Sequence, residues 1–544
     1  MARSSLWLWA LLAAALVATP LVRVPLIVNA RAHLDSDLAV DGLTLREALR
    51  GHWRWHYPGT PHIGTASLAL MLPIGLIFGG TPFALAISGV VLWMLVVIST
   101  FVLALRVFGP RVAAWSLIPL TFSSTGMIWL SGRITGGHLL AVAWHAVAFL
   151  LLYKLLIRGG VLRAAMLGLW CGLGIWNDSM GVMTLVGLVP AGVVLVGSAM
   201  RASSGQAGGE EARMADPARA GIWRSLLSLV LAFLVGLMPK FVGRWADPYD
   251  AYNEQFAPIW KADVLLDHAR ILALDCLPRL IAGHRLPHFE AEPGGIGPDG
   301  RAMSGSGTMS LATVSAVALG LGLFLLAVPG LAFEGRREPD PGRARWAVRW
   351  GLLISSLAVL AGFVANRNIY NSDNYRYLVL LLVPWAIGFG RLMDGLSRRG
   401  QGGAIAVAAI VVGFAVAFTF DAASWYRRLG WIDDRTRPIA RADDDPILGW
   451  LLGSPGVTGL GGDYWDVYRL AFLSDGRFRA VPSSRYPDRF PEWSRGLPSG
   501  HPSHVVTRRT AIGAEVLGRA LRDGGAILYR GRGGTIASWP ASGR

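Results

Sequence analysis

Long apolar stretches recur along the first 420 of the 544 residues, and they constrain the fold more than any other feature. A helix needs about 20 apolar residues to cross roughly 30 Å of hydrocarbon, so the shorter stretches need interfacial flanking residues to complete a crossing. The sequence therefore predicts an all-α polytopic membrane protein with about eleven transmembrane helices. The predicted spans are residues 7–29, 82–105, 112–132, 138–156, 164–177, 179–199, 223–240, 309–333, 348–365, 376–393 and 404–420.

The composition agrees with a membrane protein. Only 16% of the residues are charged, against about 25% in a soluble domain. The net charge of +16 comes almost wholly from arginine, and basic membrane proteins carry such charge in cytoplasmic loops, so no nucleic-acid partner is predicted. The abundance of Arg, Ala and Gly is typical of a GC-rich bacterial genome, which predicts a bacterial plasma membrane as the location. The two cysteines, Cys171 and Cys276, form neither a disulfide framework nor a metal-binding pattern.

Charge distribution predicts the orientation. The first apolar run contains Pro20 and Arg23, and we interpret it as a retained anchor, although a cleaved signal peptide is the alternative. If the run 63–79 does not span, Arg3 and the Arg-rich loops after every second span share one side, as the positive-inside rule requires. We therefore expect 63–79 to be an amphipathic or re-entrant segment at the outer face, with the N-terminus cytoplasmic and the C-terminus outside.

This topology divides the chain into two predicted domains. Residues 1–420 form the transmembrane domain, with outer loops at 30–81 and 241–308, and residues 421–544 form an extracytoplasmic tail with the composition of a soluble domain. The tail alternates short β-like segments with amphipathic helical ones, which predicts a small α/β domain. The strand-like segments are VTGL, FRAVP, HVVT and AILYR, and the helix-like segments are PILGWLL, DVYRLAFL and AEVLGRALRDG.

Three carboxylates crowd the membrane surface just after the first span: Asp35, Asp37 and Asp41. In a helix, Asp37 and Asp41 lie on one face, four residues apart. Acids at a helix start are favoured by the macrodipole, which is the purely structural interpretation. The alternative is catalytic, because a carboxylate at the mouth of a membrane cavity can take a proton from an acceptor hydroxyl.

Several motifs resemble those of a known family. The segment SDLAVDGLTLREALRGHWRWHYPGTPHIGTASLALMLPIGLIFGG resembles the first periplasmic loop of bacterial membrane glycosyltransferases of the GT-C fold, relatives of protein mannosyltransferases and lipid A aminoarabinose transferases. The order of the motifs along most of the chain is more specific than any single motif. The further motifs are RVFGPRVAAW, LSGRITGGHLLAVA, GLGIWNDSMGVMTLVGLVPA, NYRYLVLLLVPWAIGFG and GDYWDVYRLAFLSDGRFRAV.

The resemblance implies an integral-membrane hexosyl- or pentosyltransferase with an inverting mechanism. It also implies a polyprenyl-phosphate-linked sugar donor and a lipid, protein or glycan acceptor. It also implies that Asp37 is the catalytic base. Leu38 stands where the family has Glu. A second acid is then supplied by Asp35 or Asp41, or one acid suffices, or the protein is inactive or has another specificity. Neither a cofactor nor a metal is expected, since the histidines of the second outer loop lack a regular ligand spacing.

Four cationic or polar residues are candidates for binding the donor phosphate, because cations stabilise the charge that develops on a leaving phosphate. Arg376 occupies the R-Y-L position of the family, and Arg133, Lys240 and His138 lie near the same predicted rim. The structural alternatives are a snorkelling anchor for each of the three cations and a helix cap for His138. These alternatives stay open from the sequence alone.

Asp178 and Tyr377 are the candidates for binding the sugar or the acceptor, although Asp178 also fits a helix N-cap. In the tail, Tyr464 and Tyr468 either stack on a sugar or, more commonly for aromatic residues on a helix, pack into the domain core. A transporter or flippase for a lipid-linked substrate is the alternative function. It is disfavoured because the informative charges cluster at the outer rims, whereas a transporter needs ionisable residues deep inside its spans.

Overall fold

The chain is mainly helical in the computed structural model. The structure describes residues 3–134, 136–204, 210–250, 258–286, 311–332, 342–440, 445–483, 488–497, 502–508, 511–531 and 533–539. The first half consists of α1 (Arg3–Val28), α2 (Ser36–Leu49), β1 (His56–Tyr57), β2 (Thr60–Gly64), α3 (Ala66–Phe78), α4 (Pro82–Val107), α5 (Pro110–Thr121), α6 (Thr125–Ser131), α7 (His138–Arg158), α8 (Val161–Asn177), α9 (Gly181–Ser204) and α10 (Glu210–Ala246).

The second half of the helical bundle follows the same up-and-down pattern. It consists of α11 (Ala262–Ile271), a π-helical turn (Leu272–Cys276), α12 (Leu277–Ala282), α13 (Leu311–Gly330), α14 (Gly342–Ala365), a 3₁₀ helix (Ser372–Leu381), α15 (Leu382–Ser397) and α16 (Gln401–Leu429). Within the described residues, eight helices are long and apolar enough to cross a membrane: α1, α4, α7, α10, α13, α14, the 3₁₀ helix together with α15, and α16. The polytopic all-α fold is thus confirmed.

The other three predicted spans are also helical. The spans predicted at 164–177 and 179–199 are α8 and α9. The span predicted at 112–132 consists of two helices, α5 and α6, so the prediction of a single continuous helix was wrong there. Pro119 lies in the last turn of α5, and the hydroxyl of Ser124 accepts a hydrogen bond from the backbone of Met127 to start α6. A proline near a helix end and a serine N-cap explain the break.

Successive long helices run in opposite directions between two ends of the bundle. At one end, the hydroxyl of Tyr426 in α16 donates to the carbonyl of Val22 in α1 (2.9 Å), and we name this the site end. At the opposite, distal end, the guanidinium carbon of Arg391 lies 5.5 Å from the ring centre of Phe108. The described loops at the distal end carry arginines, as the charge distribution predicts.

The helix α3 is too short to cross a bilayer. It has 13 residues, or roughly 20 Å at 1.5 Å per residue. It follows an antiparallel hairpin of β1 and β2, in which Tyr57 pairs with Thr60 across a turn with Gly59 at a φ of 63°. That backbone conformation favours glycine. The non-spanning segment expected at 63–79 is therefore present at the site end.

The tail is a small α/β unit, as predicted. Its sheet has the strand order β4-β3-β5-β7-β6, with β3 parallel to both β4 and β5, and with β6 and β7 forming an antiparallel hairpin. The strand β7 and the helix α19 have no counterpart in the sequence prediction. The elements are α17 (Pro446–Gly453), β3 (Gly459–Gly462), α18 (Tyr464–Leu473), β4 (Arg479–Pro482), α19 (Pro491–Arg495), β5 (His504–Thr507), α20 (Ala511–Arg522), β6 (Ile527–Gly531) and β7 (Gly534–Ser538).

The tail packs directly on the helix that carries the three acids. The hydroxyl of Ser36 in α2 donates to the carbonyl of Tyr464 (2.6 Å), and Arg46 donates to the carbonyl of Phe472 (2.7 Å). A Cβ atom at Gly42 would lie 2.4 Å from the Phe472 ring, so this close approach of α18 to α2 requires glycine. The contact places the tail over the start of the first outer loop.

Candidate functional site

The three acids of α2 have three different environments. Asp35 is the N-cap: its carboxylate accepts a hydrogen bond from the backbone of Leu38 (3.0 Å) and pairs with the guanidinium of Arg133. Leu38 itself is completely buried in the hydrophobic core. The start of α2 therefore brings one predicted phosphate ligand, Arg133, against one predicted acid.

Asp37 lies between the transmembrane bundle and the tail. One carboxylate oxygen, Oδ2, is 3.4 Å from Nη1 of Arg376, and the other, Oδ1, accepts a hydrogen bond from the hydroxyl of Tyr464 (2.7 Å). Arg376 lies in the 3₁₀ helix, which begins at the capping box formed by Asn371 and Asn374. Asp37 and Arg376 thus lie at the same end of the bundle and in direct contact, with the carboxylate still 17% exposed.

Asp41 is buried in α2, one helical turn after Asp37 in the sequence. The pKa of Asp41 is raised well above its ordinary value of 3.8, mainly by burial and secondly by the negative charge of Asp37. The hydrogen bond from the backbone of Gly136 lowers the pKa, but by less. One of its oxygens, Oδ2, is buried without a hydrogen-bond partner among the described residues. Asp41 is therefore held as a neutral carboxylic acid over a wider pH range than an exposed aspartate.

We expect the Asp41→Asn variant to change how stability depends on pH. The folded state binds the proton of Asp41 more tightly than the unfolded state does, so protonation of Asp41 stabilises the fold. This stabilisation is complete below the ordinary pKa of 3.8 and is lost as pH rises through the folded-state pKa. Asparagine cannot ionise, so the melting temperature of the variant should gain on that of the wild type as the solution becomes more alkaline. Thermal unfolding in detergent across a pH series measures this difference. Parallel pH profiles for the two proteins would show that Asp41 ionises as freely as a surface aspartate.

Two guanidinium groups, those of Arg133 and Arg376, lie beside the acids, and a third, that of Arg279, lies near Arg133. Burial, together with the positive charges of Arg376 and Arg279, lowers the pKa of Arg133 to about 10. Arg279, in α12, donates to the hydroxyl of Ser372 (2.8 Å) and pairs with Asp373 (2.8 Å). The Nε atoms of Arg133 and Arg376 are buried without a hydrogen-bond partner among the described residues. These groups form what we name the arginine cluster, a set of donors suited to a phosphate.

A second group of predicted residues lies beside the arginine cluster rather than within it. Nδ1 of His138 is 2.6 Å from a carboxylate oxygen of Asp178, and both side chains are buried. Tyr377 lies between the two groups, with its ring centre 5.7 Å from that of His138 and 5.5 Å from the guanidinium carbon of Arg376. Lys240 donates to the carbonyl of Ile175 at 3.5 Å, on the Asp178 side. His138 and Lys240 thus do not contact Asp37 in the described structure.

The environment of Asp178 combines two opposing effects. Burial alone would raise the pKa of Asp178, but the His138 ring and the hydrogen bond from the backbone of Met180 (2.9 Å) lower it overall. The bond from Met180 closes a turn ahead of α9, which begins at Gly181, and Asp178 is the C-cap of α8, so the N-cap alternative for Asp178 was wrong. His138 is not a cap either, because Gly137 occupies the N-cap position of α7.

Replacing His138 by Ala should destabilise the protein by about 3–5 kcal/mol, because the Asp178 carboxylate would stay buried without its partner. Thermal unfolding in detergent measures the loss. Since the pKa of Asp178 is lowered in the folded state, this stabilisation is present above the ordinary value of 3.8 and disappears as pH falls through the folded-state pKa. The double variant His138→Ala/Asp178→Asn should recover most of the loss. A His138→Ala protein as stable as the wild type would show that the pair is not needed for folding.

Comparison with known proteins identifies the fold. No protein-family model matches the chain, and no curated protein matches it either. The structure is similar to ArnT from Cupriavidus metallidurans bound to undecaprenyl phosphate, with a TM-score of 0.59 and 13% identity over 99% of both chains. The apo state of that ArnT gives a TM-score of 0.59 and 14% identity over 100% of this chain and 99% of that one. The chain has a GT-C fold.

This GT-C fold is the one that the sequence motifs predicted. An oligosaccharyltransferase from Archaeoglobus fulgidus in the apo form is also similar, with a TM-score of 0.48 and 14% identity over 92% of this chain and 69% of that one. At 13% and 14% identity, the two ArnT comparisons establish the architecture alone. The roles of individual residues in this GT-C protein rest on the site geometry.

Sequence reasoning missed three residues of the site. Tyr464 was assigned to packing or sugar stacking, but its hydroxyl binds Asp37, and Arg489 in turn donates to that hydroxyl (3.2 Å). Arg279 lies in the apolar segment LPRLIA of the second outer loop. An isolated arginine in an otherwise apolar segment was the available signal for Arg279. No local signal marks Tyr464 or Arg489, because Tyr464 reaches Asp37, and Arg489 reaches Tyr464, only through the folding of the tail.

Proposed function

We propose that the protein is a membrane glycosyltransferase that moves a sugar from a polyprenyl-phosphate-linked donor to a cell-envelope acceptor at the outer face of the bacterial inner membrane. The observation that carries this proposal is the contact of Asp37 with Arg376, 3.4 Å apart, beside Arg133. Transfer of a sugar from a lipid phosphate requires a carboxylate to take the proton of the acceptor and cations to stabilise the leaving phosphate, and both lie at one end of the bundle. The GT-C fold shared with an ArnT that was solved with undecaprenyl phosphate supports the same donor class.

The proposed reaction is a single displacement at the anomeric carbon. Asp37 takes the proton of the acceptor hydroxyl, the hydroxyl oxygen forms the new glycosidic bond, and the bond between the anomeric carbon and the phosphate oxygen breaks. The lipid phosphate leaves with the bonding electrons, and the arginine cluster stabilises its negative charge. Such a displacement inverts the anomeric configuration. The transferred group is a hexosyl or pentosyl unit, and the acceptor is a lipid, a protein or a glycan.

The contacts support one base rather than a pair. Asp35 is engaged as a helix cap and as the partner of Arg133, and the raised pKa of Asp41 favours its protonated form, so neither is as well suited as Asp37 to accept a proton. Asp41 can assist by limiting the negative charge beside Asp37. Because Leu38 is buried in the core, a glutamate there would not reach the acceptor without rearrangement of α2.

The remaining predicted residues are proposed to bind the donor phosphate on one side of the site and the sugar or the acceptor on the other. Arg376 and Arg133 bind the donor phosphate, with Lys240 and His138 as a second layer around it. Asp178 and Tyr377 bind the sugar or the acceptor, and the position of Tyr377 between the arginine cluster and His138 supports that role. No metal or other cofactor is invoked.

The proposed orientation puts the site end outside the cytoplasm. The basic loops at the distal end favour a cytoplasmic location for that end and for the N-terminus. Residues 421–544 then form an extracytoplasmic domain that covers the site, and residues 1–420 form the transmembrane domain. The helix α16 runs across this boundary and ends at Leu429.

Reconstituted protein tests the proposed function. In proteoliposomes incubated with radiolabelled polyprenyl-phosphate sugars and envelope extracts, the protein should transfer label to an acceptor. Mass spectrometry of the envelope lipids and glycans of a deletion strain would identify that acceptor. Uptake of the labelled lipid-linked sugar across the bilayer with no transfer would instead support a transporter or flippase. Arg23, an ionisable residue inside α1, does not favour transport, because it donates to the hydroxyl of Ser131 (2.6 Å) and to the carbonyl of Thr19 (3.0 Å).

A further inference from the structure

The tail contributes a hydroxyl group directly to Asp37. Tyr464 is the first residue of α18, where the capping Asp463 carboxylate accepts a hydrogen bond from the backbone of Trp465 (3.1 Å). The Tyr464 side chain is 2% exposed, and its hydroxyl lies 2.7 Å from Oδ1 of Asp37, on the opposite side of the carboxylate from Arg376. The two oxygens of Asp37 are therefore held by one group from the bundle and one from the tail.

Arg489 fixes the direction of this hydrogen bond. Its Nε donates to the Tyr464 oxygen at 3.2 Å, and a guanidinium can only donate. A tyrosine hydroxyl has one proton, so the proton of Tyr464 is directed at Asp37. A cation that donates to a hydroxyl polarises it, and this strengthens the bond that the hydroxyl donates. The order of donation is Arg489 to Tyr464 to Asp37.

Arg489 is itself anchored in the first outer loop. It is 6% exposed and donates to the hydroxyl of Thr60 and to the carbonyl of Pro58 (3.3 Å), at the β1–β2 turn. From the same hairpin, the hydroxyl of Tyr57 donates to the backbone carbonyl of Asp37 (2.8 Å). The backbone and the carboxylate of Asp37 are thus oriented by one connected hydrogen-bond network.

We propose that Tyr464 and Arg489 are positioning residues through which the C-terminal tail orients the Asp37 carboxylate. The inference rests on the proposed role of Asp37 as the base. A charge-assisted hydrogen bond adds geometric specificity to the group that accepts it, so losing the Tyr464 hydroxyl leaves one oxygen of the carboxylate without its directed partner. The tail would then be a required part of the reaction site, in addition to any role in selecting the acceptor.

Other groups also act on the charge of Asp37. They belong to α2, to the first hairpin, to the 3₁₀ helix and its preceding loop, and to the tail. The facing titratable and charged groups are Asp35, Asp41, Tyr57, Tyr370, Arg376, Tyr464 and Arg489. A test must therefore change Tyr464 alone and leave the other groups in place.

The Tyr464→Phe variant makes this test, because it removes one hydroxyl and keeps the ring. We expect kcat to fall by roughly tenfold and donor KM to stay unchanged, because the carboxylate loses a directed partner while the donor contacts remain. Tyr529→Phe, a matched change on β6 of the tail, should leave both unchanged. Arg489→Lys, which keeps the charge and loses the Nε contact, should lower kcat by less.

An activity-independent measurement separates this inference from the proposed function. Infrared spectra at one fixed pH, comparing each protein with its Asp37→Asn counterpart, isolate the carboxylate stretching bands of Asp37, and Tyr464→Phe should shift their frequencies because the carboxylate loses a hydrogen bond. If the wild type transfers no sugar but these bands shift, the glycosyltransferase proposal fails and the hydrogen-bond network stands. If the wild type transfers sugar and Tyr464→Phe changes neither kcat nor the bands, the positioning role is overturned.

Discussion

The Asp37→Asn variant should lose sugar transfer by about 10²–10⁴-fold, the usual contribution of a general base. Asparagine has the same shape and its amide oxygen still accepts the hydrogen bond from Tyr464, but it cannot take a proton from the acceptor hydroxyl. The fold should survive, so membrane insertion and the elution volume in detergent should match the wild type. The measurement is the initial rate of label transfer from a radiolabelled polyprenyl-phosphate sugar.

A matched control makes the Asp37 result specific. Asp523, exposed near the end of α20, accepts a hydrogen bond from the indole of Trp539 (3.2 Å), and Asp523→Asn should transfer sugar at the wild-type rate. If Asp37→Asn retained turnover, Asp37 would not be the base. The corresponding variants of Asp35 and Asp41 would then decide which of the other two acids takes the proton.

The Arg376→Ala variant should lower kcat/KM for the donor by roughly ten- to a hundredfold, which corresponds to one hydrogen bond to a charged group. The reason is that the guanidinium is proposed to bind the donor phosphate as that phosphate gains charge. Arg376→Lys should lose less, because lysine keeps the positive charge but not the planar donor geometry. Steady-state kinetics with donor and acceptor varied separately measures these effects.

The control for Arg376 comes from the same helical segment. Arg391 lies in α15 at the distal end, with its guanidinium carbon 5.5 Å from the ring centre of Phe108, far along the helix from the site. Arg391→Ala should leave donor kinetics unchanged. A rise in acceptor KM with unchanged donor kinetics in Arg376→Ala would contradict phosphate binding and assign Arg376 to the acceptor side.

Much of the architecture was predictable because it depends on local patterns. An apolar run of about 20 residues predicts a membrane helix whatever its neighbours are. The charges of the loops then predict which side of the membrane each loop lies on. The same reasoning identified the non-spanning segment at 63–79 and the α/β nature of the tail. It failed at residues 122–124, because hydropathy averaged over the whole span hides the polar Ser123 and Ser124, and there Pro119 and Ser124 divide the helix.

The site was predictable only in part, since its contacts are long-range. Asp37 and Arg376 were predicted from separate motifs, and the structure brings them together across 339 positions of sequence. Tyr464 contacts Asp37 across 427 positions, and this depends on Gly42 admitting the Phe472 ring. A glycine requirement of that kind depends on the docked tail, so it is invisible in the sequence of α2 alone.

A structure of the protein in lipid nanodiscs with undecaprenyl phosphate, solved by cryo-electron microscopy, would test most directly whether base and phosphate share one site. We predict density for the phosphate within hydrogen-bond distance of Arg376 and Arg133, with the Asp37 carboxylate facing the space beside it. Phosphate density at the distal end of the bundle, or at the site end but out of reach of both arginines, would contradict the proposed mechanism.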